Sequence, residues 1–503
     1  MNELQKALPM EGWAKPAQNP KKLYRIDRRD RLFLILALFF SFLLADTFLW
    51  HGPTSFSMTL VVFAWYAMTM TYTGPLPLLR RSNCVLLLFN LFFALTMTLQ
   101  SNGAFQLWNR LVLLVLLPVQ TLAFSSAAQF PWWRPVMLWE RILLFMWGLF
   151  GHLGAASAAL HSGKKETNSK HLLPIIGGSV IAVALVSILI PILASADALF
   201  AAAASDFCRF VQTHFTETFV KLVLALVLTP FAFSLLYSLR HPTPPKGQPQ
   251  NFRLVNGAFF VTILATLDLL YLLFLSVQSA GLFGGPEYLA QKGVSYAAWA
   301  RSGFFQMVGV TVVNLTVTLT ALSASHQEGL SWKVLRLLAA LLSAESLVLL
   351  ASAAWRMTLY VSAYGLSFKR FLTYWGMVMM ALFLLTALWK IHRPDFHVCR
   401  AAFPLALAGW LVINCIPVDY LVAKNQVDRY LNGESETLSV EYLVSLSYDT
   451  LHQLERLSGM TVLSNYSGNV DIDSILSAQR KAAAQECSSW HTWSLSTWLA
   501  AGH

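Results

Sequence analysis

Three polar residues lie inside long apolar segments of the sequence and could carry proton chemistry. Asp268 and Glu345 each lie within an apolar segment, and Asn314 lies within the apolar segment between them in the chain. Placing a charge at the centre of a bilayer costs about 2.5–3.5 kcal/mol even on insertion scales, so such residues call for a functional explanation. If the three segments pack together, the carboxyl groups could accept protons or hydrogen-bond Asn314, giving a proton-coupled path. The alternative is a pair of neutral carboxyl groups that tie helices together.

A second group of charged and aromatic residues lies at the predicted ends of several apolar segments. The group consists of Asp197, Tyr296, Trp299, Arg301, Arg356, Tyr360, Tyr364, Lys369 and Arg370. A topology with eleven spans places all of them on the outer face of the membrane. Asp197 could form a bidentate pair with Arg301 or Arg356, and the aromatic rings could line a stacking pocket. This predicts an outward-facing site for a small solute, with a structural lock and an interfacial aromatic belt as the alternative.

The sequence lacks the common motifs of catalytic and metal centres. It contains no G-x-x-x-x-G-K loop, no nucleophile elbow and no H-E-x-x-H motif. His392, Asp395, His397 and Cys399 lie close together, but their spacing fits no standard zinc finger. The five cysteines include no C-x-x-C pair. We therefore predict no catalytic residues, no metal site and no cofactor, and the sequence favours a protein that is not an enzyme.

Composition indicates that these residues belong to a membrane protein. Of the 503 residues, 56% are hydrophobic and only 12% are charged, and the mean hydropathy is +0.55. A soluble domain has roughly 25% charged residues, so a soluble globular protein is excluded. Disorder is also excluded, because 34 Phe and 17 Trp cannot stay solvated in a chain with so little charge. The net charge of +11 does not indicate nucleic acid, since its location along the chain favours the lipid bilayer as the partner.

The apolar segments predict an all-α, polytopic transmembrane helix bundle. About 20 apolar residues cross a bilayer as a helix. Eleven segments satisfy this rule: 32–50, 56–74, 84–100, 107–126, 173–195, 217–239, 255–277, 302–323, 334–354, 371–391 and 398–418. A twelfth apolar stretch, 135–160, contains Glu140, Arg141 and three glycines, and it could cross the membrane or lie in the interface.

Basic residues next to the spans predict the orientation of the bundle, since Lys and Arg in short loops stay in the cytoplasm. Residues 1–31 hold eight basic and four acidic residues and form a cytoplasmic tail. If 135–160 does not cross, the later inner loops hold eleven basic residues and the outer loops seven. The predicted regions are the basic tail, an amino-terminal transmembrane region 32–160, a transmembrane core 173–418 and a soluble tail 419–503 outside the membrane.

The soluble tail is predicted to be a small helical appendage. Apolar residues at helical spacing predict a first helix that ends at Gly433. A second amphipathic helix is predicted over 439–457. Asp471 or Asp473 could cap a third helix, because a side-chain carboxylate accepts hydrogen bonds from the first backbone amides of a helix.

Four separate parts of the chain carry distinctive motifs. They are S-A-D-A-L-F at 195–200, Tyr296 to Phe304, Arg356 to Ser367, and the tail segment from Asn425 through Ser447. Together these motifs resemble a bacterial membrane family, domain-of-unknown-function family 4173, which has a related sister family 4153. Tyr364, Ser367 and Ser439 depart from the pattern, which has Phe, Thr and Asp there. The resemblance covers roughly residues 170–460 and implies a multi-pass protein of the bacterial inner membrane without an established activity.

Three classes of function remain open from the sequence. The first is sensing or transport of a small solute at the outer-face site. The second is a membrane-embedded transferase that acts on a lipid-linked or envelope substrate, with Asp197 or Glu345 as the base and a cleft open to lipid. The third is a membrane scaffold whose carboxyl-terminal appendage docks an envelope or signalling partner protein.

Overall fold

A computed structural model describes the following residues of the chain: 24–52, 54–74, 81–122, 130–132, 134, 136–161, 202, 205–206, 209, 215–242, 256–282, 304–326, 328–393 and 395–502. Within them the protein is almost entirely helical and contains a two-stranded antiparallel sheet. The predicted span 173–195 lies outside the described residues.

The elements are numbered in chain order within the described residues. The helices are α1 Arg28–Leu44, α2 Ser55–Thr73, α3 Arg81–Leu99, α4 Gly103–Thr121, α5 Val136–Gly151, α6 Leu153–His161, α7 Thr216–Arg240, α8 Gly257–Leu282, α9 Phe304–Ala324, α10 Gly329–Tyr364, α11 Phe368–His392, α12 Cys399–Cys415, α13 Val418–Leu431, α14 Val440–Val444, α15 Leu451–Leu454, α16 Ile472–Cys487 and α17 Leu495–Ala500. A π-helical segment, Ala45–Trp50, continues α1, and the strands are β1 Thr461–Ser464 and β2 Gly468–Asp471.

Seven helical segments among the described residues are long and apolar enough to cross a membrane. They are Arg28–Trp50, Gly103–Thr121, Val136–Leu160, Thr216–Arg240, Gly257–Val277, Gly329–Tyr364 and Phe368–His392. Helices α12 and α13, bent by 50° at their junction, make an eighth if the pair crosses once. The helical, multi-span class is confirmed, whereas the count of eleven or twelve spans stays a prediction. The stretch 135–160, which the sequence could place either across the membrane or in its interface, corresponds to one of the seven, Val136–Leu160.

The chain divides into two compact units, of which the first comprises Met1–Ala45 and Trp147–His241. In its described part, α1 and α6 pack against α7. Arg240 forms ion pairs with Asp27 at 3.0 Å and with the fully buried Asp30 at 2.8 Å. A buried carboxylate needs such a partner, so this pair joins the start of α1 to the end of α7.

The second unit comprises Asp46–Met146 and Pro242–His503 and contains the candidate site. Within it, α8, α9 and α11 pack around α10 through shared apolar layers. Helix α10 has 36 residues and is therefore about 54 Å long at 1.5 Å per residue. It carries four of the eight candidate side chains in the described residues: Glu345, Arg356, Tyr360 and Tyr364.

Another helix group in the second unit, α2, α3, α4 and α12, shares an apolar core, and a polar network joins three of these helices, α3, α4 and α12. The Trp410 indole donates to Asn109 Oδ1 at 2.7 Å. The Asn109 amide donates to Asn414 Oδ1 at 2.7 Å and to Thr96 Oγ1 at 2.9 Å. Because each hydrogen bond joins two helices, the network fixes how α3, α4 and α12 pack against one another.

The carboxyl-terminal residues form a compact domain of short elements, α13 to α17 with β1 and β2, around a shared apolar core. Helix α13 ends at Leu431, two residues before Gly433, which agrees with the prediction. The prediction of one helix over 439–457 is wrong, because this stretch forms α14, α15 and two short 3₁₀ turns. Its apolar residues are nevertheless buried, as expected: Val440, Leu443, Leu451 and Leu454.

The end of this domain contains one confirmed helix start and one sheet that the sequence did not predict. The Asp471 side chain accepts hydrogen bonds from Asp473 N and Ser474 N and so caps α16. Strands β1 and β2 pair in antiparallel register just before it. The strands were missed because four residues are too few to show a reliable alternation of apolar and polar positions.

We predict that Asn109→Ala destabilises the protein. The variant leaves the Trp410 indole N–H without its acceptor and the Asn414 side-chain oxygen without its donor. Each buried polar group that loses its hydrogen bond costs about 1–3 kcal/mol. The melting temperature of the full chain in detergent should fall, whereas that of Asn432→Ala, at an exposed position, should not. Equal melting temperatures for the two variants would contradict the structural role of the network.

Candidate functional site

The three polar residues inside the apolar segments lie on helices that pack together. Asp268 lies near the middle of α8, Asn314 near the middle of α9 and Glu345 near the middle of α10. Their exposed fractions are 2%, 0% and 3%. Helices α8 and α9 both pack against α10. The Asn314 amide donates to Ser346 Oγ, next to Glu345, at 2.9 Å.

The two carboxyl groups differ from the other buried carboxyl groups of the described residues. Both oxygens of Asp268 and both oxygens of Glu345 lack a hydrogen-bond partner among the described residues. A buried charge normally needs a counter-charge or hydrogen bonds, because removing it from water is costly. The chemistry that this pair permits is therefore the uptake of protons.

Three of the predicted outer-face residues meet at the turn between α10 and α11. The Arg370 guanidinium lies over the Tyr360 ring, 4.2 Å from its centre. It also donates to the carbonyl of Tyr364 at 3.0 Å and to that of Gly365. The carbonyls at the carboxyl-terminal end of a helix lack partners within the helix and carry partial negative charge, which a guanidinium neutralises. Lys369, the neighbouring residue, is exposed.

Residues of the tail motif complete this turn. Arg429 donates to two carbonyls of the last turn of α10, at 2.7 and 3.2 Å. The side chain of Asn425 accepts from Leu366 N at 2.7 Å, and the Tyr442 hydroxyl accepts from Phe368 N at 2.9 Å. Asn425 and Leu366 are 59 positions apart in the chain. The tail motif and the motif from Arg356 to Ser367 are thus joined at one turn.

Gly365 is required at the centre of this turn. Its φ of +72° lies in the left-handed region that other residues rarely adopt. A Cβ atom at this position would lie 2.6 Å from Gln426 Nε2. The glycine therefore allows α10 to end and α13 to approach the turn closely.

A cavity of about 420 Å³ opens beside the turn. Its lining includes Tyr364, Arg370, Arg429, Glu434 and Tyr442. Burial raises the pKa of the Tyr442 phenol above its ordinary value, so this residue offers a neutral hydroxyl. The volume lies within the range of about 300–1,000 Å³ that is common for small-molecule sites. The cavity's size and polar lining suit a small polar solute. The guanidinium groups of Arg370 and Arg429 line the cavity and also stabilise the end of α10.

The remaining residues of the predicted outer-face site lie elsewhere. Asp197, Tyr296, Trp299 and Arg301 are outside the described residues. Arg356 is 9% exposed and lies one helical turn before Tyr360 on α10. The predicted pairing of Asp197 with an arginine stays a prediction.

Sequence reasoning missed Gln426 and Glu434 as cavity residues and assigned Asn425, Arg429 and Tyr442 only to a motif. The signal that could have found them was the motif itself, because its polar residues follow a predicted span end. Which backbone groups they bind depends on how α13 folds back onto α10 and α11.

The arrangement defines an integral membrane protein of helical architecture, with polar groups enclosed by its apolar helices. The chain belongs to the family described as a domain of unknown function (DUF4153), whose sequence model matches residues 84–457. The match starts within α3, so it extends further towards the amino terminus than the resemblance over 170–460 indicated. Membership of the related family 4173 stays a prediction. No curated protein and no solved structure matches the chain.

We predict that Arg370→Ala loosens the end of α10. A cation at the carboxyl-terminal end of a helix contributes about 0.3–1 kcal/mol, and its loss should speed hydrogen exchange of the backbone in peptides covering 360–368. Lys369→Ala is the matched control, since it removes an adjacent but exposed cation. Unchanged exchange in Arg370→Ala would show that its contacts with the helix end contribute nothing.

Proposed function

We propose that this integral membrane protein transports a small polar solute together with protons that bind at Asp268 and Glu345. The observation that carries the proposal is the burial of both carboxyl groups without a hydrogen-bond partner among the described residues. Intramembrane carboxyl groups in such surroundings are typical of proton relays in pumps and transporters.

Electrostatics supports proton exchange by the pair over a purely structural role. Carboxyl groups that only tie helices together should hydrogen-bond a neighbouring helix, as the asparagines of the α4–α12 network do. Asp268 and Glu345 have no such hydrogen bond among the described residues. A carboxyl group that is buried without a counter-charge or a hydrogen bond is costly to ionise, so both side chains are suited to take up and release protons during a transport cycle.

Helix α10 supplies the physical connection between proton site and solute site. Glu345 and Tyr364 are 19 residues apart on this unbroken helix, a distance of about 28 Å. Arg356 lies between them. A shift of α10 would change the surroundings of the carboxyl pair and the shape of the cavity at the same time.

We further propose that the amino terminus lies in the cytoplasm of a bacterial cell and the carboxyl-terminal domain outside its inner membrane, which requires an odd number of crossings in total. The basic residues support this, because the end of the α10–α11 pair remote from that domain holds more of them. The remote end has Lys333, Arg336, Lys390, Arg393 and Arg400, and the near end has Arg356, Lys369 and Arg370. The basic residues of the tail 1–31, which leads into the first candidate span, support a cytoplasmic amino terminus.

An embedded transferase and a docking scaffold are the other two functions predicted from the sequence. Nothing among the described contacts favours either one over transport, and both stay predictions.

We predict that solute entry changes the pH inside liposomes that contain the full chain and a trapped pH indicator. Mixtures of amino acids, sugars and organic acids are added outside, one mixture at a time. One mixture should change the internal pH only when the protein is present. Glu345→Gln and Asp268→Asn should abolish the change, whereas Glu328→Gln, an exposed carboxylate just before α10, should keep it. No pH change with any mixture, or a full change with Glu345→Gln, would contradict proton-coupled transport.

We predict that a variant retaining only Cys487 reacts with a membrane-impermeant thiol reagent in intact cells. This cysteine lies at the end of α16 in the carboxyl-terminal domain. Protein denatured after lysis serves as the control for reactivity. Labelling that appears only after lysis would place the domain, and with it the cavity, on the cytoplasmic side.

A further inference from the structure

A cluster of metal-ligating side chains lies outside the candidate site, within the second unit. His491 Nε2 lies 2.7 Å from one carboxylate oxygen of Asp46, and His51 Nδ1 lies 3.3 Å from the other. One ligand atom from each of the three residues lies within 4.8 Å of the other two. Asp46 and His491 are buried, with exposed fractions of 8% and 7%, and His51 borders solvent.

The π-helical segment after α1 brings two of these residues together. The backbone amide of His51 donates to the carbonyl of Asp46 at 3.1 Å, a hydrogen bond between residues five positions apart. In an α-helix, residues five apart differ by about 140° in direction, so Asp46 and His51 would face different sides. The wider π turn puts both on one face, and such turns occur frequently at functional sites.

The third residue is held in place by its own neighbours. The backbone carbonyl of His491 accepts a hydrogen bond from Thr54 Oγ1 at 2.9 Å. Its ring stacks on the His51 ring with 3.7 Å between the centres, and the Trp490 ring lies 3.8 Å from it. Ser489 Oγ lies 3.4 Å from Nδ1 of His491, while Nε2 faces Asp46. A hydrogen bond to the ring nitrogen that does not bind the metal, as from Ser489 here, orients metal-binding histidines in known sites, and the His51 ring must turn out of its stack on His491 to share an ion with it.

We propose that Asp46, His51 and His491 bind a divalent transition-metal ion of the zinc type. Two imidazoles and one carboxylate suit zinc and its neighbours, whereas calcium and magnesium prefer oxygen ligands. Zinc–nitrogen distances of about 2.0–2.1 Å put tetrahedral ligand atoms about 3.3 Å apart. The separation of His51 Nδ1 from Asp46 matches this value, and the 2.7 Å hydrogen bond between His491 and Asp46 would lengthen when the ion binds. Three protein ligands leave a fourth position for water or another ligand. The cluster His392, Asp395, His397 and Cys399 is not brought together in this way within the described residues.

The site joins two remote parts of the chain, because Asp46 and His491 are separated by 445 positions. A bound ion would therefore fix the end of the first candidate span to the last segment of the carboxyl-terminal domain. This inference does not depend on proton-coupled transport, since none of its residues belongs to the carboxyl pair or to the cavity.

The test is titration of the full chain with Zn²⁺ alone, and separately with Co²⁺ as a spectroscopic probe, after removal of metal with a chelator. We expect one ion per chain, an absorption spectrum of Co²⁺ in a low-coordinate nitrogen and oxygen site, and a Zn²⁺-dependent rise in melting temperature. His491→Gln and Asp46→Asn should weaken binding by at least about tenfold. His452→Gln, which changes a histidine that is 76% exposed, is the matched control.

Two results would overturn the site: wild-type protein that binds neither ion, and binding that is equally strong in His491→Gln and His452→Gln. If His491→Gln fails to fold, His51→Gln provides the same comparison at a residue that borders solvent. Loss of the Co²⁺ spectrum in folded His51→Gln supports the site, and an unchanged spectrum overturns it.

Discussion

The hydrocarbon core of a bilayer offers no hydrogen bonds, so every polar group placed there needs a partner within the protein. Much of this structure meets that requirement visibly. The asparagines and tryptophan of the α4–α12 network satisfy one another, and Arg370 and Arg429 occupy the carbonyls at the end of α10. Among the described carboxyl groups, Asp268 and Glu345 are the two whose oxygens are both buried without a hydrogen-bond partner.

This contrast separates structural polar groups from functional ones. The predicted outer-face group contains Arg370, whose described contacts are those of a helix cap and an aromatic stack. Its role in solute binding is therefore secondary to its role in ending α10. The carboxyl pair has no comparable structural contact among the described residues, and α10 links it to the cavity. One long helix thus carries Glu345, the proposed proton-binding residue, near its middle and the Gly365 turn at its end.

The sequence was informative where a signal is local. Apolar segments predicted the helices, polar residues within them predicted Asp268, Asn314 and Glu345 as a group, and a capping carboxylate predicted the start of α16. Signals that depend on tertiary packing were missed. A π turn brings His51 to Asp46 against the helical periodicity, and His491 arrives from the other end of the chain.

The most direct test of the account is infrared spectroscopy of the full chain in lipid membranes as the pH is changed. Protonated carboxyl groups have a carbonyl stretching band that ionised carboxylates lack. The account predicts such a band at neutral pH in wild-type protein and in Glu328→Gln, and its loss when Asp268→Asn and Glu345→Gln are combined. A wild-type protein without the band, or a double variant that retains it, would contradict a proton-holding pair.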